Sequence, residues 1–368
     1  MFTANDHQFM AHALRLAEQG LYTTMPNPRV GCVLVKDNKI VGEGAHIKAG
    51  EPHAEVLAIR QAGEHAKGAT AYVTLEPCSH TGRTPPCSQA VVNAGINKVI
   101  VAMQDPNPQV SGSGLAHIQS HHIEVATGLM EAQALALNPG FISRMTRNMP
   151  FVRSKIAASL DGKTALKNGE SKWITSEAAR LDVQHWRARS CAILTGAGTV
   201  LADNPSMNVR ELSINRQPLK VIVDSQLKIP VNANILFGGN ALIAFATDSQ
   251  NKAKELLKTG AELLCIPNKE DKVCLKTLLS HLASQQINEV QCEGGEGLNG
   301  ALMAQNLIDE LLIYYAPKFM GDTAKDMFAM PEITNMRQTI VLDILDVRQI
   351  GADIRLRVKP RQTWSGQN

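Results

Sequence analysis

Aromatic residues are scarce: Phe, Tyr and Trp together make up 4% of the 368 residues. No stretch interleaves aromatic and basic side chains, the pattern that single-stranded nucleic-acid binding needs. There is no excess of charge of either sign. The 37 Lys and Arg stand against 34 Asp and Glu, for a net charge of +3. That excludes a general nucleic-acid binder, which would carry a strongly basic domain or stripe. A local basic pocket for a phosphorylated small molecule is still compatible. No apolar run approaches the ~20 residues of a membrane span. The start, MFTANDHQF, has no basic segment followed by an apolar stretch, so no secretory signal is expected. Internal repeats and low-complexity tracts are also absent. The seven cysteines are odd in number and scattered, which excludes a disulfide framework. A reducing cytoplasm is the expected location. Most of the cysteines lie in apolar runs and read as small buried hydrophobes; Cys78 and Cys87 do not.

The chain has 44% hydrophobic and 19% charged residues, an ordinary globular balance. Its length predicts two or three domains. Apolar positions at helical spacing run from residue 6 to Gly20. GCVLVKDNKIVGEGAH predicts a β-hairpin turning at Asp37-Asn38. EPHAEVLAIRQAG predicts a helix entered at Pro52 and closed at Gly63. Further strands and helices alternate after it, which implies an α/β sheet covered on both faces. NPGFISRMTRNMP, bracketed by Pro139 and Pro150, reads as a turn-rich boundary. It divides the chain into an expected first domain at 1–146 and a second at 147–368. In the second, strands are expected from FVRSKIAASLDG to LLIYYAP, with helices over 176–189 and 273–286.

The strongest chemical signal is His53-Ala54-Glu55, followed by Pro77-Cys78 and then Cys87. A catalytic zinc takes three protein ligands and keeps one position for water. One imidazole and two thiolates supply that set. Each ligand segment is expected to open a helix, whose N-terminus favours a thiolate. Glu55 stands two residues past His53, where it can take a proton from water activated at the metal and return it to a departing amine. The pattern matches zinc deaminases, except that eight residues separate the cysteines. That insert reads as a loop over the site. A purely structural zinc would need a fourth ligand, and His80 or His46 could provide it. Asn27 and the Asp105-Pro106-Asn107-Pro108 turn lie at strand ends, where α/β sheets bind ligands; plain turn chemistry accounts for them equally well.

In the second half, Gly295-Glu296-Gly297-Leu298-Asn299-Gly300 follows a strand and opens a helix. This spacing lets the backbone approach a phosphate at a helix N-terminus. The next strand ends at Lys318 rather than at the acid a Rossmann site requires, so dinucleotide phosphate binding is expected on another fold. A second small-residue turn spans Thr195 to Thr199. Either loop could equally be a tight turn without a ligand.

Together, HAE, TLEPCSHTGRTPPC, NPRVGCVLV and MQDPNP resemble the deaminase half of the bifunctional riboflavin-biosynthesis deaminase/reductase family. SKIAASLDGKTA, GESKWITS, GAGTVLADNPSMNVR, VIVDS and QCEGGEGLNGA follow the order of its reductase half. The resemblance covers residues from about 5 to about 360. It implies a cytidine-deaminase-like three-layer α/β/α domain and a dihydrofolate-reductase-like α/β domain. One Zn²⁺ per chain would be held by His53, Cys78 and Cys87, with Glu55 as proton shuttle. Asn27, His46, His80, Arg83, Asp105 and Asn107 would line the deaminase pocket. NADPH would lie against Ala157, Trp173, Thr199, Asp203, Ser225 and the loop Gly295, Glu296, Gly297, Leu298, Asn299, Gly300 and Ala301. Ser171, Arg187, Met207, Arg210 and Glu293 would bind the reductase substrate, with Arg187 and Arg210 suited to bidentate phosphate recognition. Gln291 is expected to face away from this site.

The implied reactions are deamination of 2,5-diamino-6-(5-phosphoribosylamino)pyrimidin-4-one to the uracil, then NADPH-dependent reduction of the ribosyl group to ribityl phosphate. The expected partner is thus a phosphorylated pyrimidine. Nucleic acid and membrane are not expected, and the chain is expected to assemble as a dimer or tetramer of itself. Two rival readings are a nucleic-acid deaminase and a zinc-braced scaffold with a vestigial nucleotide pocket. The charge balance and the missing aromatic-basic stretches oppose the first. NADPH oxidation would exclude the second.

Overall fold

A computed structural model of the chain describes residues 1–79, 86–108 and 110–361. It divides into two compact units, Met1–Met149 and Pro150–Asn368. No helix among the described residues is long and apolar enough to cross a membrane.

The first unit is a mixed five-stranded sheet between two helical layers. Its strands are β1 (Gly31–Lys36), β2 (Lys39–Ala45), β3 (Thr70–Val73), β4 (Lys98–Val101) and β5 (Glu124–Thr127). They lie in the order β2-β1-β3-β4-β5, with β1 antiparallel to both neighbours and β3, β4 and β5 parallel. The β1–β2 turn is the expected one: Asp37 and Asn38 both adopt positive φ, 48° and 60°, as a two-residue hairpin of primed type requires. The helices are α1 (Ala4–Glu18), α2 (Ala54–Ala62), α3 (Cys87–Asn93), α4 (Ser113–Ser120), α5 (Glu131–Leu137) and α6 (Pro139–Arg147). Thr3 and Asp6 close a capping box on α1.

Helices approach this sheet closely where it has glycine. A Cβ on Gly31 would lie 2.0 Å from the Ala13 carbonyl of α1, and one on Gly44 would lie 2.3 Å from the Ala54 carbonyl of α2. Gly31 and Gly44 fall on opposite faces, because Gly44 pairs with Cys32, the neighbour of Gly31. Close helix–strand packing therefore fixes α2, and with it His53 and Glu55, against the sheet.

The expected turn-rich boundary is instead a helix. Pro139 sits in the first turn of α6, where its missing N–H costs nothing. Asn138, just before it, accepts from the Arg29 N–H at 2.8 Å and donates to the Arg29 carbonyl at 2.9 Å. This segment thus braces the loop that carries Asn27.

The second unit holds β6 (Phe151–Ser159), β7 (Lys163–Ala165), β8 (Ala192–Gly196), β9 (Leu219–Val223), β10 (Ala241–Phe245), β11 (Glu262–Cys265), β12 (Glu289–Cys292), β13 (Glu310–Ala316), β14 (Lys325–Asp326), β15 (Leu342–Ile350) and β16 (Asp353–Pro360). Nine of them form one sheet in the order β11-β10-β9-β8-β12-β6-β13-β16-β15, while β7 and β14 pair apart from it. The strands from β11 to β13 run parallel. An antiparallel β15–β16 hairpin extends the edge. Around the sheet lie α7 (Glu177–Arg189), α8 (Ala197–Asp203), α9 (Ala253–Leu257), α10 (Leu275–Ser284) and α11 (Glu296–Ala304). Both units are of the expected α/β class. All seven cysteines are free; Cys32, Cys191 and Cys292 are buried, while Cys265 is exposed.

Candidate functional sites

In the first unit the predicted ligand residues come together. His53 is the N-cap of α2, and Cys87 opens α3. Cys78 lies in the loop after β3 and is tied to α3 by a bond from the Ser88 N–H to its carbonyl, 3.1 Å. His53 Nδ1 stands 3.1 Å from Cys87 Sγ and 3.7 Å from Cys78 Sγ. One ligand atom from each of the three residues lies within 4.8 Å of the others, the only such metal-ligating group among the described residues. The soft sulfur and imidazole donors suit zinc.

The electrostatics fit a divalent cation. Hydrogen bonding from Cys87 holds the Cys78 thiol well below its ordinary value, which favours the thiolate. The same bond, with burial and the nearby Glu55, pushes the Cys87 thiol up. A cation would relieve the crowding of two sulfurs around one proton. Glu55 is buried beside them, and desolvation together with the Cys78 thiolate raises its carboxyl to about 7. Its Oε2 is buried with no hydrogen-bond partner among the described residues. A carboxylate poised near neutrality with a vacant oxygen is what a proton shuttle requires.

His46 does not close the metal site. Its Nδ1 lies 3.3 Å from the Pro52 carbonyl and its Nε2 lies 3.1 Å from the Asn27 amide. Burial lowers its pKa, so it stays neutral, donating through Nδ1 and accepting at Nε2. Its ring meets His53 edge-on at 5.0 Å. His46 and Asn27 therefore form one wall beside the ligands. His80 and Arg83 lie outside the described residues.

Sequence reasoning missed Glu76, next to the Pro77-Cys78 pair. Its buried carboxylate accepts from the N–H groups of Asp105, Gly112, Gly114 and Leu115 at 3.1, 3.0, 2.9 and 3.3 Å. It thus joins the segment of Asp105 and Asn107 to that of Cys78. Asn107 N–H in turn donates to Asp105 Oδ1 at 2.8 Å. The only signal in the sequence is an acid beside a ligand cysteine.

In the second unit Ala157, Thr199, Ser225, Glu293 and Gly295 lie at or just beyond the C-terminal ends of β6, β8, β9 and β12, where parallel sheets bind ligands. The two small-residue turns converge. A Cβ on Gly294 would sit 2.9 Å from Leu298, one on Gly196 3.8 Å from it, and one on Gly295 3.9 Å from Thr199 Oγ1. Gly295 caps α11. Ser171 Oγ donates to Asp203 Oδ1 at 3.1 Å. Trp173 is 65% exposed, with Arg180 stacked over it at 4.5 Å. The Ser225 hydroxyl accepts from the Val273 N–H at 3.1 Å.

Arg187 uses its fork within the protein. Its Nε and Nη2 grip Glu293 at 2.6 and 2.9 Å, Nη1 donates to the Asn208 carbonyl at 3.0 Å, and Nη2 also meets Met207 Sδ at 3.8 Å. Arg210 is exposed, and its backbone is held by Gln184 at 2.8 Å. Two neighbours were not foreseen. Half-buried Lys155 has its pKa lowered by burial, against the pull of Glu293. Gln291 does not face away: its amide donates to Glu293 Oε1 at 2.8 Å, because residues 291 and 293 share a face of β12 and its extension.

Comparison with known proteins agrees with this geometry. Residues 3–103 match the family model of the cytidine and deoxycytidylate deaminase zinc-binding region, and residues 150–356 match that of the RibD C-terminal domain. The riboflavin biosynthesis protein RibD of Escherichia coli K12 is 46% identical over 366 residues, 96% of this chain and 99% of that protein. The protein of the same name from Haemophilus influenzae is 46% identical over 372 residues, 98% and 99% of the two chains. Among solved structures, Acinetobacter baumannii RibD superposes with a TM-score of 0.91 at 48% identity, covering 97% of this chain and 99% of that one. The Thermotoga maritima diaminohydroxyphosphoribosylaminopyrimidine deaminase/5-amino-6-(5-phosphoribosylamino)uracil reductase gives 0.85 at 32% identity, covering 97% and 99%.

Proposed function

Since this chain belongs to the RibD family of bifunctional riboflavin-biosynthesis enzymes, we propose that its first unit deaminates the diaminopyrimidinone ribosylamine phosphate and its second reduces the deaminated product. The observation that carries the first step is the His53–Cys78–Cys87 cluster with the buried Glu55 beside it, whose Oε2 has no partner among the described residues. In this reading His53, Cys78 and Cys87 would hold Zn²⁺, which would supply a nucleophilic water at neutral pH. Glu55 is placed to accept a proton from the attacking water and return it to the leaving amine. Asn27 and neutral His46 line the pocket with Asp105 and Asn107, and the family resemblance adds His80 and Arg83, which lie outside the described residues, as substrate contacts.

In the second unit the turns of Thr199 and of Gly295 to Ala301, with Ala157, Trp173, Asp203 and Ser225, would hold NADPH, which would supply the hydride. The backbone donors at the start of α11 suit its phosphates. Glu293, positioned by Arg187, faces the pyrimidine together with Ser171 and Met207, and exposed Arg210 suits the substrate phosphate. The protein contributes orientation and charge rather than a covalent intermediate. The chain acts in the cytoplasm as a homo-oligomer. The edge strand β15, with Ile344, Leu345 and Val347 exposed, favours assembly.

Supplying the diaminopyrimidinone and following ammonia and NADPH together tests the pair of reactions. Glu55→Gln is expected to retain zinc by metal analysis while ammonia release falls by about 10² to 10⁴. Near-normal deamination by that variant would refute the shuttle role.

A further inference from the structure

Gln291 lies on β12, between β6 and β8, and is wholly buried. Central strands of parallel sheets are covered on both faces and favour Val, Ile and Leu. A primary amide there brings two donor hydrogens and a carbonyl that must be satisfied. Nε2 donates to Glu293 Oε1, but Oε1 of Gln291 is buried with no partner among the described residues. The orientation of the amide is set by chemistry. Turned over, its oxygen would face a carboxylate oxygen. An orphaned buried carbonyl opposes folding, so the fold by itself does not explain an amide at this position.

Glu293 gives the reason. Its Oε1 receives Arg187 Nε at 2.6 Å and Gln291 Nε2 at 2.8 Å, while its Oε2 receives Arg187 Nη2 at 2.9 Å. The Arg187 donors arrive from α7, and the Gln291 donor arrives from the central strand beneath. Two elements therefore hold one carboxylate. The backbone of Glu293 is anchored separately: its N–H donates to the Leu194 carbonyl at 2.8 Å, and its carbonyl accepts from Thr195 Oγ1 at 2.8 Å. What Gln291 adds is the orientation of the carboxylate plane.

We infer that Gln291 is a positioning residue for the reduction, fixing the Glu293 carboxylate toward the pyrimidine from the strand side. The inference rests on the assignment of Glu293 to the substrate site. It predicts a position where binding and folding pull in opposite directions.

Gln291→Met preserves most of the volume and deletes both amide atoms; Gln291→Leu is the second variant. Both are examined as the full chain with the deaminated pyrimidine phosphate and NADPH. The expected result is a rise of about tenfold in the KM for the pyrimidine, equal to about 1.4 kcal/mol. The kcat should stay within about twofold and the KM for NADPH should not move, because uniform binding of substrate is what is lost. The thermal midpoint should hold or rise, since the orphaned carbonyl has gone. An unchanged pyrimidine KM in both variants would overturn the inference. So would a joint fall of kcat, both affinities and thermal midpoint, which marks a merely structural role. A wild-type chain that fails to oxidise NADPH with this substrate would instead overturn the assignment of Glu293, on which the inference stands.

Discussion

Glu55 and Glu293 are both buried carboxyls, and their surroundings drive them in opposite directions. Around Glu55, desolvation and a thiolate act together and raise it to about 7. Around Glu293, burial also pushes upward, but the Arg187 guanidinium overcomes it, with Lys155 and Gln291 adding, and the carboxyl falls to about 2. The first can exchange a proton near neutrality, whereas the second is a fixed negative charge, as the roles proposed for them require. The depressed value has a consequence for stability. The native state holds the Glu293 proton less tightly than the unfolded chain, so its contribution is fully present above pH 4.5 and fades as pH falls from there toward 2. Such a shift corresponds to roughly 3 kcal/mol. Urea unfolding of the second unit across this window should therefore show a steeper acid loss for the wild type than for Glu293→Gln. Parallel curves would mean that the Arg187 clamp does not couple to folding.

At the scale of elements, buried charge stitches the second sheet together. Arg153 on β6 lies between Glu289 of β12 at 3.3 Å and Glu310 of β13 at 3.2 Å, with its guanidinium 4.6 Å over the Trp186 ring of α7. Arg189 and Arg357 hold the same two carboxylates from outside at 3.1 and 2.8 Å. Arg153→Met keeps volume but removes the central cation. Breaking a buried pair typically costs 3–5 kcal/mol. The outer arginines offset part of that, so a loss of about 3 kcal/mol by denaturant unfolding is expected; a neutral or stabilised variant would show that the outer pair suffices. None of these pairings was legible in the sequence, since 136 and 157 residues separate Arg153 from its partners and only the strand order brings them together. What is local was legible. The Asp37-Asn38 hairpin, the start of α2 just after Pro52 (with His53 as its N-cap) and the glycine turn before α11 all follow from short-range chemistry. The turn-rich reading of 139–150 gave undue weight to Pro139, which begins a helix as readily as it ends one. The β15–β16 hairpin was missed because β15 is largely exposed and mixes Asp and Arg into its apolar positions. The metal cluster was readable because its spacing is itself the chemistry. Gln291 was misjudged because a strand's facing cannot be read without its register.

For the whole molecule, the two chemistries draw on separate cores. The cluster of His53, Cys78 and Cys87 and the carboxyl of Glu55 belong to Met1–Met149, while Arg187, Glu293 and the glycine turns belong to Pro150–Asn368. Each unit has its own hydrophobic core, one built around β1, β3 and β4, the other including clusters on β8, β9 and β10 and beneath α7. A ligand that binds only the native form of one unit stabilises that unit by mass action. Removing zinc should therefore act on one half. After dialysis against a chelator, ammonia release should vanish, and the thermal transition of the first unit should move down. NADPH oxidation with the deaminated pyrimidine phosphate should continue at close to its original rate, and returning Zn²⁺ should restore deamination. The measurements are metal content, ammonia release and absorbance at the nicotinamide band on the same sample. A parallel loss of both activities, reversed together by zinc, would show that the reductase centre depends on the metal and would overturn the division of labour between the two units.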